Sequence, residues 1–213
     1  MTVASTPPVL APEVERRAPF ATAPVLTIAA VTVAAMTLFG LRYGYHRDEL
    51  YYIWGGEHPA AGYVDHPPLV PLIARATDVI GGHTLFALRL VPALIAGWVA
   101  VAGALTAREL GGHRFAQVLA AFAVVCVPAT RAPDAFYGTA AFDAAVWAGL
   151  LVLAARLLGT RDQRLWVAIG VVAGIGLETK WTVLVLLAGL GVGMLLAGRT
   201  ERRLLWSPLA LLG

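Results

Sequence analysis

Long apolar runs separated by short polar clusters organise this chain. A helix needs about 20 mostly apolar residues, at 1.5 Å rise each, to cross the hydrocarbon core of a bilayer. Six segments fit that pattern: residues 24–41, 84–107, 115–130, 139–158, 165–177 and 181–197. The third and fifth are short for a span. A seventh apolar run opens at Ser207, and the chain stops inside it at Gly213, as expected of the N-terminal portion of a longer polypeptide. The connections differ in kind. RELGGHR, GTRDQR and GRTERR are tight and Arg-rich, whereas residues 42–83 are far too long for a simple connector and are not low-complexity. Two short helices are predicted in that segment. Residues 48–57 would carry Tyr51, Tyr52 and Trp54 at headgroup depth, where amphipathic rings prefer to sit. Residues 67–80 open on prolines suited to a first helical turn. Their Leu69, Leu72, Ile73, Ala76, Val79 and Ile80 recur at spacings of three and four, with Arg75 and Asp78 largely off that face, which predicts an interfacial helix on the outer leaflet. The expected fold is all-α: a polytopic transmembrane helix bundle of about six spans plus the start of a seventh, with short interfacial helices in the first outer loop.

Composition supports a membrane chain. Of the 213 residues 59% are hydrophobic and 14% charged, against about 45–50% and about 25% in a soluble domain. Mean hydropathy is +0.74. A soluble domain and a nucleic-acid binder both fit poorly. The net charge of +3 matters less than where it lies. Residues 1–23 are Pro-rich and carry Glu13 and Glu15 ahead of Arg16 and Arg17, the reverse of a secretory signal's basic start. They read as a disordered cytoplasmic tail leading into the bundle of residues 24–213. With the tail inside, that side holds 10 of the 16 basic residues and nets +5, while the other side nets −2. The positive-inside rule therefore puts the N-terminus in the cytoplasm and residues 42–83 outside. Cys126, the single cysteine, excludes an intrachain disulfide and reads as plain packing.

Chemistry gathers on the outer side. Arg47, Asp48 and Glu49 follow the first span, as solvated loop charges or as a desolvated site. Adjacent helical residues point about 100° apart, so at most one of the two acids faces a given site. Tyr63-Val64-Asp65-His66-Pro67-Pro68-Leu69 holds an acid and a histidine before a helix start. That is an N-cap with a surface histidine, or a pair for a metal or phosphate, with fewer ligands than a zinc site needs. Asp143 lies near the outer end of the fourth span, stabilising a helix N-terminus or awaiting a partner. Glu178-Thr179-Lys180 lies between two apolar runs, at a turn expected below the outer surface. Lys180, the only lysine, either snorkels or partners a lipid phosphate. The glycine pairs 170/174 and 189/193 allow close helix packing.

The stretches YHRDELYYIWGGEHPAAGYVDHPPLVPLIARA, ALRLVPALIAG, TARELGGHRFAQVLAA, AAFDAAVWAGLLVLAARLL and GIGLETKWTVLVLL resemble bacterial membrane glycosyltransferases of the protein-mannosyltransferase-like group (GT-C fold, glycosyltransferase family 39). The resemblance covers about residue 43 to the end and matches the N-terminal portion of such enzymes. It implies a polyprenyl-phosphate-linked sugar as donor, a protein, glycan or lipid acceptor, inversion at the anomeric carbon, and a multi-pass enzyme of the plasma or inner membrane. It implies that Asp48 is the general base and that Glu49, Asp65, His66, Asp143 and Lys180 contact substrate. Relatives often carry Lys where this chain has His66. No cofactor is assigned with certainty, a divalent metal being the one candidate. The competing readings are a transporter or lipid-binding membrane module, or an inactive truncated fragment. Transporters place charges in broken spans at the midplane, whereas five of the eight outer-side acids here gather in one outer loop.

Overall fold

The computed structural model describes residues 17–126, 136–206 and 208–211. The tail through residue 16, Arg131 and Asp134 of the outer charge count, the end of the third predicted span, and Ser207, Leu212 and Gly213 of the seventh run lie outside the described residues. The helices are α1 (Thr22–Gly40), α2 (Arg47–Glu57), α3 (Leu69–Ile80), α4 (Leu85–Glu109), α5 (Arg114–Cys126), α6 (Thr139–Thr160), α7 (Leu165–Leu177), α8 (Val183–Leu196) and α9 (Arg199–Leu205). A 3-10 turn, Pro208–Leu211, closes the described chain, and no strand occurs among the described residues.

The fold is the expected helical membrane bundle, with fewer full spans among the described residues. α1, α4 and α6, of 19, 25 and 22 residues, are long and apolar enough to cross a membrane. α5, α7 and α8 have 13, 13 and 14 residues. At 1.5 Å per residue each is about 20 Å long, short of a core about 30 Å thick. α7 ends at Leu177, where the fifth apolar run ends. The Thr179 and Lys180 amides both turn back to the Gly176 carbonyl, and α8 starts only after Thr182.

α4 is the central element and packs against α1, α5 and α6. Beyond Leu88, Arg89 and Pro92 its buried face is made of small residues: Ala93, Ala96, Gly97, Ala100, Ala102 and Ala104. Small residues let helix backbones approach where lipid supplies no hydrophobic drive. A Cβ added at Gly97 would sit 2.8 Å from Val33 Cγ2 of α1, so that crossing depends on glycine. Of the glycines expected to make seams, Gly174, Gly189 and Gly193 face open space. Three apolar clusters follow from this packing. Ala21, Val25, Ala104 and Ala121 join α1, α4 and α5. Val146, Leu150, Ile169, Val183 and Met194 join α6, α7 and α8. Tyr52, Val70, Ala74, Leu88 and Tyr137 join α2 and α3 to the bundle.

Hydrogen bonds sort the helix ends into two groups. At one end the α1 terminus meets the start of α4, and the α7–α8 turn meets the starts of α3 and α6. The Arg-rich loops occupy the other end, where Arg17 pairs with Glu109 at 2.6 Å and Arg161 with Glu201 at 2.8 Å. Residues 17–21, which the sequence places in the tail, fold onto this end: the Ala18 carbonyl accepts from Arg108, and the Ala21 amide donates to Gln117.

The face of α3 turned into the protein is Val70, Pro71, Ala74 and Asp78, while Leu72, Ala76, Val79 and Ile80 are exposed, as an apolar face laid on lipid would be. One local expectation is revised. Cys126 is exposed at the end of α5 and is not a packing residue.

Candidate active-site cleft

α2 begins with an unusual cap. His46 has extended backbone, and its Nδ1 accepts from the Asp48 amide at 3.3 Å. In return, Glu49 Oε2 accepts from the His46 amide at 2.8 Å, completing a capping box. The two adjacent acids then diverge. The Asp48 side chain is 51% exposed and lines a cleft of about 320 Å³. His46, Asp48 and Tyr52 form one wall, and residues 136–140 form the other. Phe136 stacks on the His46 ring at 4.6 Å, and Tyr52 Oη donates to Thr139 Oγ1 at 3.4 Å, so the two walls touch. Arg47 Nε donates to Asp48 Oδ1 at 3.2 Å at an exposed position, where ion pairs contribute little.

Glu49 turns the other way and is 0% exposed. Its Oε1 accepts from Arg89 Nε at 2.9 Å and the Tyr137 amide at 3.2 Å, and its Oε2 accepts from Arg89 Nη2 at 2.8 Å. Burial pushes the Glu49 carboxyl up, but the bonds from Arg89, His46 and Tyr137 outweigh it and hold the group below its ordinary value. Arg89 also donates to the carbonyls of Gly40, Tyr43 and Gly44. Glu49, expected to touch substrate, is therefore closed off behind the cleft wall with both oxygens occupied.

Asp65 and His66 sit beside α2. Tyr51 Oη donates to Asp65 Oδ1 at 2.7 Å, and that hydrogen bond, with smaller contributions from burial and charge, pushes the Tyr51 phenol up to about 12. Asp65 caps no helix, because the N-cap of α3 is Pro68. The His66 side chain is 3% exposed and lies within 5.3 Å of the Tyr51, Tyr52 and Tyr63 rings. Its Nδ1 contacts the Pro67 carbonyl at 3.0 Å, whereas Nε2 is buried with no hydrogen-bond partner and lies 3.8 Å from Asp65. Among the described residues no three His, Cys, Asp or Glu side chains gather for a metal. A cation at Asp65 and His66 would need a substrate's phosphate oxygens to complete its shell.

Asp143 lies beyond the first turn of α6 and accepts from Thr182 Oγ1 at 2.7 Å. The Leu69 amide donates to the Glu178 carbonyl at 3.1 Å, tying the turn that carries Lys180 to the start of α3. Lys180 is partly buried, and no acid among the described residues pairs with it. The predicted site residues thus share one end of the bundle. Sequence reasoning missed Arg89 and the wall at 136–140. An arginine inside LFALRLVPAL was the available signal, since an ionisable group in an apolar helix must find a partner.

Fold and cleft together define a helical membrane protein with its candidate site residues collected at one end of the bundle. The chain belongs to the dolichyl-phosphate-mannose-protein mannosyltransferase family, which it matches over residues 65–213. It is a mannosyltransferase-like membrane glycosyltransferase of the GT-C type. The matched stretch contains Asp65, His66, Arg89, Asp143 and Lys180, while Asp48 and Glu49 precede it. No curated protein and no solved structure matches the chain.

Proposed function

We propose that the protein transfers a sugar from a polyprenyl-phosphate-linked donor to an acceptor hydroxyl of a protein, glycan or lipid, on the non-cytoplasmic side of the cell membrane and with inversion. The observation that carries this reading is the exposed Asp48 carboxylate on the cleft, set beside the buried and fully paired Glu49. A general base must reach an incoming hydroxyl, and of these two acids only Asp48 has a face open to one. Asp48 takes the hydroxyl proton, and the oxygen attacks the anomeric carbon opposite the phosphate. The bond from anomeric carbon to phosphate oxygen breaks, and its electron pair leaves on the polyprenyl phosphate. Single displacement by one base inverts the centre. Lys180 neutralises charge on the departing phosphate, which is worth most in a water-poor site. Asp65, His66 and Asp143 line the donor's path.

Lys180→Met is expected to lower turnover of a polyprenyl-phosphate sugar, or donor affinity, by about 10-fold or more while leaving the melting temperature unchanged. Unaltered kinetics would leave Lys180 as a snorkelling residue. Orientation has its own check, motivated by the +5 against −2 charge split. In a Cys126→Ala background, a cysteine at Gly62 labels with an impermeant thiol reagent in intact cells, and one at Gly159 does not. The opposite pattern inverts the topology.

A further inference from the structure

Arg89 is the largest fully buried side chain among the described residues, and the site chemistry above gives it no role. Its position is specific. With Glu49 it forms a two-pronged ion pair whose side chains are 1% and 0% exposed. Every group bonded to that pair belongs to a segment bordering the cleft. Arg89 takes the Gly40, Tyr43 and Gly44 carbonyls, which lead from α1 into α2. Glu49 takes the His46 amide, which starts the helix carrying Asp48. Glu49 also takes the Tyr137 amide, in the opposite wall. The Arg89 guanidinium lies 5.4 Å over the Phe136 ring, whose other contact is the His46 ring. Both walls are therefore fastened to one buried pair.

Buried ion pairs often contribute little net stability and are replaceable by apolar residues of similar volume. One that fastens two separate walls has a different value. It fixes relative position to within the width of a hydrogen bond, which catalysis requires and stability does not. We infer that Glu49 and Arg89 are positioning residues: they hold the α2 start and the 136–140 wall in register so that the Asp48 carboxylate faces the bound acceptor, and neither touches substrate. The inference rests on the base role given to Asp48, and the experiment below separates the two.

Charge-conserving variants avoid stranding a buried charge. Arg89→Lys keeps the cation and loses the fork. Glu49→Asp keeps the anion one methylene short. The readouts are kcat and KM per folded protein with a polyprenyl-phosphate mannose donor, and the distance distribution between spin labels at Leu50 and Ala140 in the Cys126→Ala background. For both variants the spin-label distribution should broaden, and kcat should fall about 10²-fold, the scale of a 1 Å misplacement, with donor KM within about twofold of wild type. Unchanged kcat per folded molecule with an unchanged distribution overturns the inference and leaves a purely structural pair. A raised KM with kcat retained overturns it in favour of a substrate contact. If the wild-type protein turns over no such donor, the donor reading fails, and the spin-label distances alone still decide whether the pair sets the cleft.

Discussion

Asp48→Asn removes about 10²- to 10⁴-fold of turnover, the usual cost of losing a general base. The amide matches the carboxylate in shape and still lines the cleft, but it cannot accept the acceptor's proton. Donor affinity should stay near the wild-type value, because Asp48 acts on the other substrate. Glu49→Gln tests the neighbouring acid differently. It leaves Asp48 in place but strips the anion from a buried pair, so its damage should appear first in folded yield and thermal melting. The discriminating result is the specific activity of protein that has folded. If Asp48→Asn keeps near wild-type turnover and folded Glu49→Gln is dead, the base is one residue further along the chain. Retained turnover in both would make Asp48 a solvated charge with no part in the chemistry.

The largest stability effect is expected at Arg89. Arg89→Met leaves Glu49 buried with no cation, and breaking a buried pair from one side costs about 3–5 kcal/mol. Three carbonyls at the α1–α2 junction also lose their donor. Thermal melts in detergent should show a large fall, and a loss under about 1 kcal/mol would mean that the pair is not closed to water. pH gives a second signature. The folded Glu49 carboxyl is held below its ordinary value, so its contribution is complete above the unfolded carboxylate range, about pH 4.3. That contribution is lost as pH falls through the folded value. Wild-type melts should therefore drop steeply in acid, and Arg89→Met should flatten the drop.

Much of this was legible in the sequence, for identifiable reasons. α2 and α3 were placed within two residues at each end, α2 from its cluster of aromatic residues and α3 from the Pro-Pro pair ahead of its first turn. The divergence of Asp48 and Glu49 follows from helix geometry alone. What stayed hidden was partner choice. Nothing local says that Glu49 meets Arg89, 40 residues on, or that Asp143 meets Thr182, 39 residues on. Nor does it say that Tyr137 closes the opposite wall. The break at Glu178–Lys180 was legible because three polar residues interrupt the apolar sequence there.

The most direct test supplies the protein, reconstituted in liposomes, with polyprenyl-phosphate mannose labelled in the sugar and a hydroxyl-bearing peptide mixture, and measures released polyprenyl phosphate together with the anomeric configuration of the product. The account predicts release that is stoichiometric with transfer, an inverted glycosidic bond, and almost none of either from Asp48→Asn. Turnover of a nucleotide sugar in place of the lipid-linked donor, or a product of retained configuration, would contradict it.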